Sequence, residues 1–146
     1  MTPKEMIGRF ENDFNELPKE SQQAYWKNML LTCSKTGQLL SLSGMTAMMT
    51  SGWRPAWHNA QVGGAKKSKH LFGQAVDLFD PDKKLGEWAM QNLGLLREVG
   101  VYMEALEYVD PIDGKKKGTH ANDDPNERWV HFQSIAPKSG NIVFQP

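Results

Sequence analysis

Three side chains that can bind a metal ion lie in two apolar stretches of the sequence. His70 and Asp77 fall within "SKHLFGQAVDLFD" (68–80), and His131 falls within "RWVHFQ" (128–133). Two imidazole nitrogens and one carboxylate oxygen form a ligand set that suits zinc. A zinc site that hydrolyses a bond uses three protein ligands and keeps one position for water. The three residues are therefore candidates for a hydrolytic zinc site.

Such a site also needs a general base near the water, and a carboxylate can fill that role. Glu104 follows the apolar residues "VGVYM", where a carboxylate is better explained by a cleft than by the core. Other interpretations remain open, because a histidine in an apolar strand often forms a hydrogen bond in the core and Asp77 could cap a turn. His58 and His120 lie in predicted loops and are weaker ligand candidates.

The elements that would position these residues are helices early in the chain and strands later. Hydrophobic periodicity predicts helices over 3–16, 19–36 and 81–99, and strands over 46–53, 74–79, 99–106 and 128–133. Residues 108–128 are polar, with glycine and proline, and are predicted to form an exposed loop. This order of elements predicts an α+β fold.

Length and composition favour a single domain and exclude several classes of protein. The chain has 146 residues, with 17 basic and 17 acidic side chains, so a protein built on phosphate contacts is not expected. Its single cysteine, Cys33, cannot form an internal disulfide. The charged N-terminal residues lead us to expect no secretory leader, and no apolar run reaches membrane-spanning length. We expect synthesis in the cytoplasm, no nucleic-acid partner and a monomer.

Three short motifs resemble those of the zinc D-Ala-D-Ala carboxypeptidases, which share their fold with the hedgehog signalling domain. "SGWR" (51–54), "SKHLFGQAVD" (68–77) and "WVH" (129–131) are similar to the family patterns SG(Y/W)R, SxHxxGxAxD and WxH. The similarity covers roughly residues 40–146 and is greatest to a short branch common in phage genomes. It implies a small antiparallel sheet with helices packed on it, in one domain with a helical part (1–40) and a motif-bearing part (41–146).

The resemblance also implies roles for individual residues. It makes His70, Asp77 and His131 the zinc ligands. Arg54 would bind a substrate carboxylate or carbonyl through its forked donors. Asn59 and Ser68 would also lie at the substrate.

The general base is where the chain departs from the family pattern. Many relatives place the catalytic glutamate three residues before the last histidine, and here that residue is Arg128. Relatives of the short branch also lack that glutamate. Glu104 is therefore the preferred base, and Glu127 is the alternative. The segment between Glu104 and Trp129 is longer than usual and is expected to form a lid or a wall of a substrate groove.

These implications predict a zinc peptidase that hydrolyses peptidoglycan stem peptides, of the D-Ala-D-Ala carboxypeptidase or L-Ala-D-Glu endopeptidase type. It would be a phage or bacterial lysis enzyme that reaches the cell wall after release or within a virion. One alternative is a catalytically silent, hedgehog-like module that binds zinc or cell wall. Another is a nucleic-acid-binding protein that uses Lys66, Lys67, Lys69 and 115–117, against which the zero net charge counts.

Overall fold

The computed structural model describes residues 1–146 and confirms the α+β fold. The helices are α1 (Pro3–Ile7), α2 (Glu11–Asn15), α3 (Lys19–Ser43), α4 (Ala56–Gln61), α5 (Lys84–Gln91) and α6 (Leu93–Val99). The strands are β1 (Met49–Ser51), β2 (Ala75–Phe79), β3 (Tyr102–Glu104), β4 (Tyr108–Val109), β5 (Lys116–Lys117), β6 (Trp129–Gln133) and β7 (Val143–Phe144). Short 3₁₀ helices span Gly8–Phe10, Lys69–Phe72 and Pro125–Glu127. No helix combines the length and the apolar character that crossing a membrane requires.

The main sheet has five strands in the order β1-β2-β6-β3-β7. The first three neighbouring pairs are antiparallel, as expected, but β3 and β7 run parallel. Strands β4 and β5 form a separate antiparallel hairpin. In the central pair, β2 and β6, Asp77 lies directly opposite His131. The two motif-bearing strands are thus hydrogen-bonded neighbours in the middle of the sheet.

The two faces of the sheet differ in chemistry because side chains alternate along each strand. Val76 and Leu78 of β2, Val130 and Phe132 of β6 and Met103 of β3 are all fully buried and belong to one hydrophobic core cluster with residues of the helices. Burial of each such side chain stabilises the fold by about 1.5–3 kcal/mol. The opposite face carries Asp77 and His131. Packing of the apolar face against the core therefore holds β2 and β6 in place while their polar side chains lie on the other face of the sheet.

The helices depart from the predicted spans in three places. The predicted helix 3–16 is divided into α1 and α2 by the 3₁₀ turn at Gly8–Phe10, and α3 runs past residue 36 to Ser43. The predicted helix 81–99 is divided at Asn92, whose backbone is not helical and whose side chain donates to the carbonyl of Trp88 (2.8 Å). Periodicity alone misses such divisions because both halves bury the same apolar stripe.

The segment 108–128 is not a simple exposed loop, which corrects the sequence prediction. It contains the β4–β5 hairpin, and its residues Thr119 and His120 are buried. His120 Nε2 lies 2.7 Å from Asp80 Oδ2, with each side chain only 3% exposed. Asp80 also accepts hydrogen bonds from the backbone N–H groups of Leu85 and Gly86, at the start of α5. This pair therefore ties the segment to the first turn of α5.

Substitution Asp80→Asn is expected to destabilise the protein by about 2 kcal/mol at pH 7, the scale of losing hydrogen bonds to a charged group. Burial opposes ionisation, but the hydrogen bonds from His120, Gly86 and Leu85 outweigh it and lower the pKa of Asp80. Because the pKa of Asp80 is lower in the folded than in the unfolded state, its ionisation stabilises the fold at pH values above the unfolded pKa of about 4. This contribution is lost as the pH falls through the folded pKa.

The measurement is urea unfolding of wild type and Asp80→Asn at pH 7 and at successively lower pH. The difference between them should shrink below about pH 4. Asp82→Asn is the control, because Asp82 is exposed and contacts only Lys84. Equal stability of wild type and Asp80→Asn at pH 7 would show that the buried pair does not hold α5.

Candidate metal centre

Two neighbouring strands and the turn before one of them bring His70, Asp77 and His131 together. Asp77 Oδ1 lies 2.9 Å from His131 Nδ1 and 3.2 Å from His70 Nε2. One ligand atom from each residue lies within 4.8 Å of the other two, and all three residues are buried. His70 belongs to the 3₁₀ helix at Lys69–Phe72, which leads into β2. The structure thus brings together the three residues that the sequence predicts as ligands.

Two glycines of the motifs, Gly52 and Gly73, let the segments around His70 pack closely against α1 and α3. Gly73 has a φ of +72°, and a Cβ there would lie 2.5 Å from Met29 Cγ and 2.9 Å from the carbonyl oxygen of Tyr25, on α3. At Gly52, a Cβ would lie 2.5 Å from the carbonyl oxygen of Met6. Larger residues at either position would force the helices away from the segments that position His70.

The tautomer of His70 follows from its partner. Its Nδ1 lies 2.7 Å from the carbonyl oxygen of Gly52, and a carbonyl can only accept, so Nδ1 carries the proton. In the neutral ring, Nε2 then presents its lone pair toward Asp77. Burial lowers the pKa of His70, against the opposing effect of the Asp77 carboxylate. A neutral imidazole is the form that binds a metal ion.

The ring of His131 is oriented by Gln133, two residues further along the same strand face. The Gln133 amide Nε2 donates to the carbonyl of Ile135 (2.8 Å), which leaves Oε1 as the acceptor 3.1 Å from His131 Nε2. His131 Nε2 therefore carries a proton and Nδ1 faces Asp77. Burial opposes the charged ring, but the hydrogen bond to Asp77 outweighs it and raises the pKa of His131.

Asp77 divides its two oxygens between different partners. Oδ1 faces the two histidines, and Oδ2 accepts from Arg54 Nη2 (3.0 Å). Burial opposes ionisation of Asp77, but its close contacts with His70 and His131 outweigh it and lower the pKa of Asp77 well below its usual range. Asp77 is therefore an ionised carboxylate with one oxygen directed at the cluster.

This donor set fits a zinc ion. A tetrahedral ion with bonds of about 2.0–2.2 Å separates its ligand atoms by about 3.3–3.6 Å. The separations between Asp77 Oδ1 and the two ring nitrogens are slightly shorter, at 2.9 and 3.2 Å, and the two ring nitrogens lie within 4.8 Å of each other. Each ligand also has a second partner that fixes its orientation, as is usual around protein metal sites. Three ligands leave a fourth position for water or substrate.

Replacement of Gln133 by leucine is expected to weaken zinc binding by about 10- to 100-fold, the usual effect of losing such an orienting partner. Leucine fills similar space but cannot accept from His131 Nε2, so the ring loses the contact that selects its tautomer. Competition with a chromophoric chelator would measure the zinc Kd. Gln133→Glu restores an acceptor and should bind zinc at least as tightly as wild type. Equal affinity of Gln133→Leu and wild type would mean that packing alone orients His131.

The candidate ligands lie in a groove of about 930 Å³. It is lined by residues 63–65 and 67–69, in the segment before His70, and by residues 137–139 and 144–146, near the end of the chain. Glu104 and Trp129 also line it. The groove is large enough for a ligand of several residues.

Glu104 and Glu127 lie in different places. Glu104 lines the groove together with Asp77 and His131, whereas Glu127 is exposed and lines a smaller, separate pocket beside Trp129. The Glu104 carboxylate has no hydrogen bond or ion pair with another residue of the chain. Burial raises the pKa of Glu104, against the opposing effect of His131.

No residue between Glu104 and Trp129 lines the groove, so the lid or wall predicted for that segment is wrong. Its hairpin carries its own ion pairs, in which Lys117 contacts Asp110 and Asp113. His120 is paired with Asp80 and takes no part in the metal cluster. His58 lies in α4 and is likewise outside it.

The three predicted substrate residues adjoin the cluster in different ways. Arg54 lines the groove and donates from Nε to Ser51 (2.8 Å) and from Nη1 to Asn59 (3.3 Å), besides its bond to Asp77. Ser68 lines the groove, and its hydroxyl accepts from the backbone N–H of His70. Asn59 is buried behind the groove wall, where it donates to the carbonyl of Ala65 (2.9 Å).

Comparison with protein families gives one match, to the family described as Peptidase M15, over residues 3–105. The match begins at residue 3, so it includes the N-terminal helices, in which no motif is evident. It contains His70, Asp77 and Glu104 but ends before His131, whose place in the cluster comes from the geometry. No curated protein and no solved structure matches the chain.

Proposed function

The chain belongs to the peptidase M15 family, and on that premise we propose that it is a zinc-dependent peptidase that hydrolyses the stem peptides of bacterial peptidoglycan. The observation that carries the proposal is the convergence of His70 Nε2, Asp77 Oδ1 and His131 Nδ1 in a groove that also contains an unpaired carboxylate. The same carboxylate counts against a catalytically silent module, which would need no base there.

When bound, zinc polarises the scissile carbonyl and lowers the pKa of water toward neutrality. Glu104 accepts a proton from the attacking water and returns it to the leaving amine nitrogen. Burial raises the pKa of Glu104, and a base whose pKa approaches the working pH can both take up and release a proton efficiently. Because Glu104 has no partner within the chain, its oxygens are free to face water.

Arg54 has a double role in this proposal. Three of its nitrogens hold Ser51, Asn59 and Asp77, which keeps Asp77 Oδ1 turned toward the histidines. A guanidinium has five N–H donors, so two remain for a carboxylate or carbonyl of a substrate in the groove. Ser68 acts by holding the turn that carries His70 and by lining the groove. Asn59 supports Arg54 and the wall, and its predicted substrate contact stays a prediction.

Substitution Arg54→Lys is expected to lower kcat/KM by roughly tenfold or more while zinc content stays unchanged. Lysine keeps the positive charge beside Asp77 but cannot hold Ser51 and Asn59 and meet a substrate at the same time. Steady-state kinetics and elemental analysis of the same preparations provide the measurement. Identical kinetics for the two proteins would remove Arg54 from the substrate site.

The proposed function is tested by mass spectrometry of purified muropeptides incubated with the zinc-loaded protein. The masses of the fragments report which bond is cut, D-Ala-D-Ala or L-Ala-D-Glu. No fragment from any muropeptide, with the zinc site full, would reject peptidase activity on these peptides. In a lysis enzyme of a phage or bacterium, this activity would be exerted on the cell wall after release or from a virion.

A further inference from the structure

The groove carries a set of positive charges that the proposed chemistry does not use. Lys67 and Lys69 line it from the segment before His70, and Lys138 lines it from the segment after β6; together they are called the lysine rim. None of the three ammonium groups has an acidic side chain within 4.0 Å, and none donates a hydrogen bond within the chain. Elsewhere in the chain, Lys83, Lys84, Lys116 and Lys117 pair with carboxylates.

The acidic side chains of the groove do not balance this rim. Asp77 and Glu104 are the only acidic side chains that line the groove. Asp77 is held by Arg54 and directed at the histidines, and Glu104 lies beside the cluster on the sheet. The chain as a whole has a formal net charge of zero, so the excess of positive charge is a local feature. Clefts with one sign of charge concentrate ligands of the opposite sign.

The size of the groove adds a second constraint. At about 930 Å³, it lies near the upper end of the range of roughly 300–1,000 Å³ found for sites that bury most of a drug-sized ligand. A free dipeptide bound at the metal would leave much of this volume empty. A peptide of several residues would extend along the walls that carry the lysine rim.

We infer that the lysine rim selects peptides that carry an internal carboxylate. This carboxylate binds the rim, while other groups of the same peptide bind at the metal cluster. This inference rests on the proposed peptidase function and names its substrate class as acidic oligopeptides. Lys67 and Lys69 come from the segment that leads into His70, and Lys138 comes from the turn between β6 and β7. The lysine rim therefore combines side chains from two separate segments of the chain.

The test uses two stem pentapeptides that differ only in their internal carboxylates, which are free in one and converted to carboxamides in the other. Wild type should cleave the acidic peptide with a kcat/KM about tenfold higher, carried by KM, since several exposed charge pairs act together. Raising the salt concentration should reduce this preference. The triple variant Lys67→Gln, Lys69→Gln, Lys138→Gln should cleave both peptides equally.

The matched control is Lys66→Gln, because Lys66 lies in the same segment but does not line the groove. It should keep the preference of wild type. Binding of both peptides to the zinc-loaded protein, measured by calorimetry, separates this inference from the proposed function. Tighter binding of the acidic peptide that depends on the rim, without cleavage, would support the inference and reject the peptidase. The inference would be overturned if wild type cleaved or bound both peptides with equal efficiency, or if it bound neither peptide.

Discussion

Substitution Glu104→Gln is expected to lower kcat/KM by at least about a hundredfold while fold and zinc content stay unchanged. The magnitude is the usual one for removing a general base. Glutamine is almost isosteric, and Glu104 forms no hydrogen bond or ion pair that the change could break. The loss should fall on kcat, because proton transfer is needed in the transition state and not for binding. Steady-state cleavage of a stem peptide, with elemental analysis of both proteins, gives the measurement.

The matched control for this substitution is Glu127→Gln, which removes the other carboxylate that sequence allows as the base. Glu127 is exposed in a 3₁₀ helix and lines a different pocket, so its variant should stay near wild type. If Glu127→Gln were inactive and Glu104→Gln active, Glu127 would be the general base, and the reaction would take place in the smaller pocket beside Asp77.

Substitution His131→Ala is expected to abolish stoichiometric zinc binding and, with it, peptide cleavage. The change removes one of three ligands and leaves Asp77 and His70 with only two donor atoms for the ion. The loss of affinity should exceed the roughly 10- to 100-fold expected for orienting residues such as Gln133. Zinc per chain after dialysis, together with circular dichroism to confirm the fold, provides the measurement.

His58→Gln is the control for this loss, because His58 lies in α4, packs against Phe10 and is not part of the cluster. It should retain one zinc per chain. If His131→Ala also retained one zinc per chain with unchanged affinity, the ion would have to be held elsewhere, and the assignment of the cluster would fail.

Much of this site follows from the sequence because its parts are local. The apolar residues of 74–79 and the alternation in 128–133 predict β2 and β6 to within a residue. Period-two alternation of side chains along a strand then places Asp77 and His131 on the face away from the core. Two histidines and one aspartate, as residue types, already favour zinc as the metal. These inferences need no knowledge of distant contacts.

The pairing of the strands and the orienting partners could not be predicted in the same way. Whether Asp77 faces His131 depends on the register between β2 and β6, which tertiary packing fixes. Gln133 could have been found by its position two residues after His131, on the same face of a strand, but an amide there carries no motif of its own. The place of 108–128 depends on the buried Asp80–His120 contact, which joins residues 40 apart in sequence.

The central claim is that one zinc ion is held by His70, Asp77 and His131 in the groove beside Glu104. Anomalous diffraction at the zinc absorption edge, from crystals grown with zinc, tests it most directly. The account predicts one strong peak about 2.0–2.2 Å from His70 Nε2, Asp77 Oδ1 and His131 Nδ1. No peak among these atoms, with zinc present in the crystal, would contradict the account, and so would coordination through His131 Nε2 in place of Nδ1.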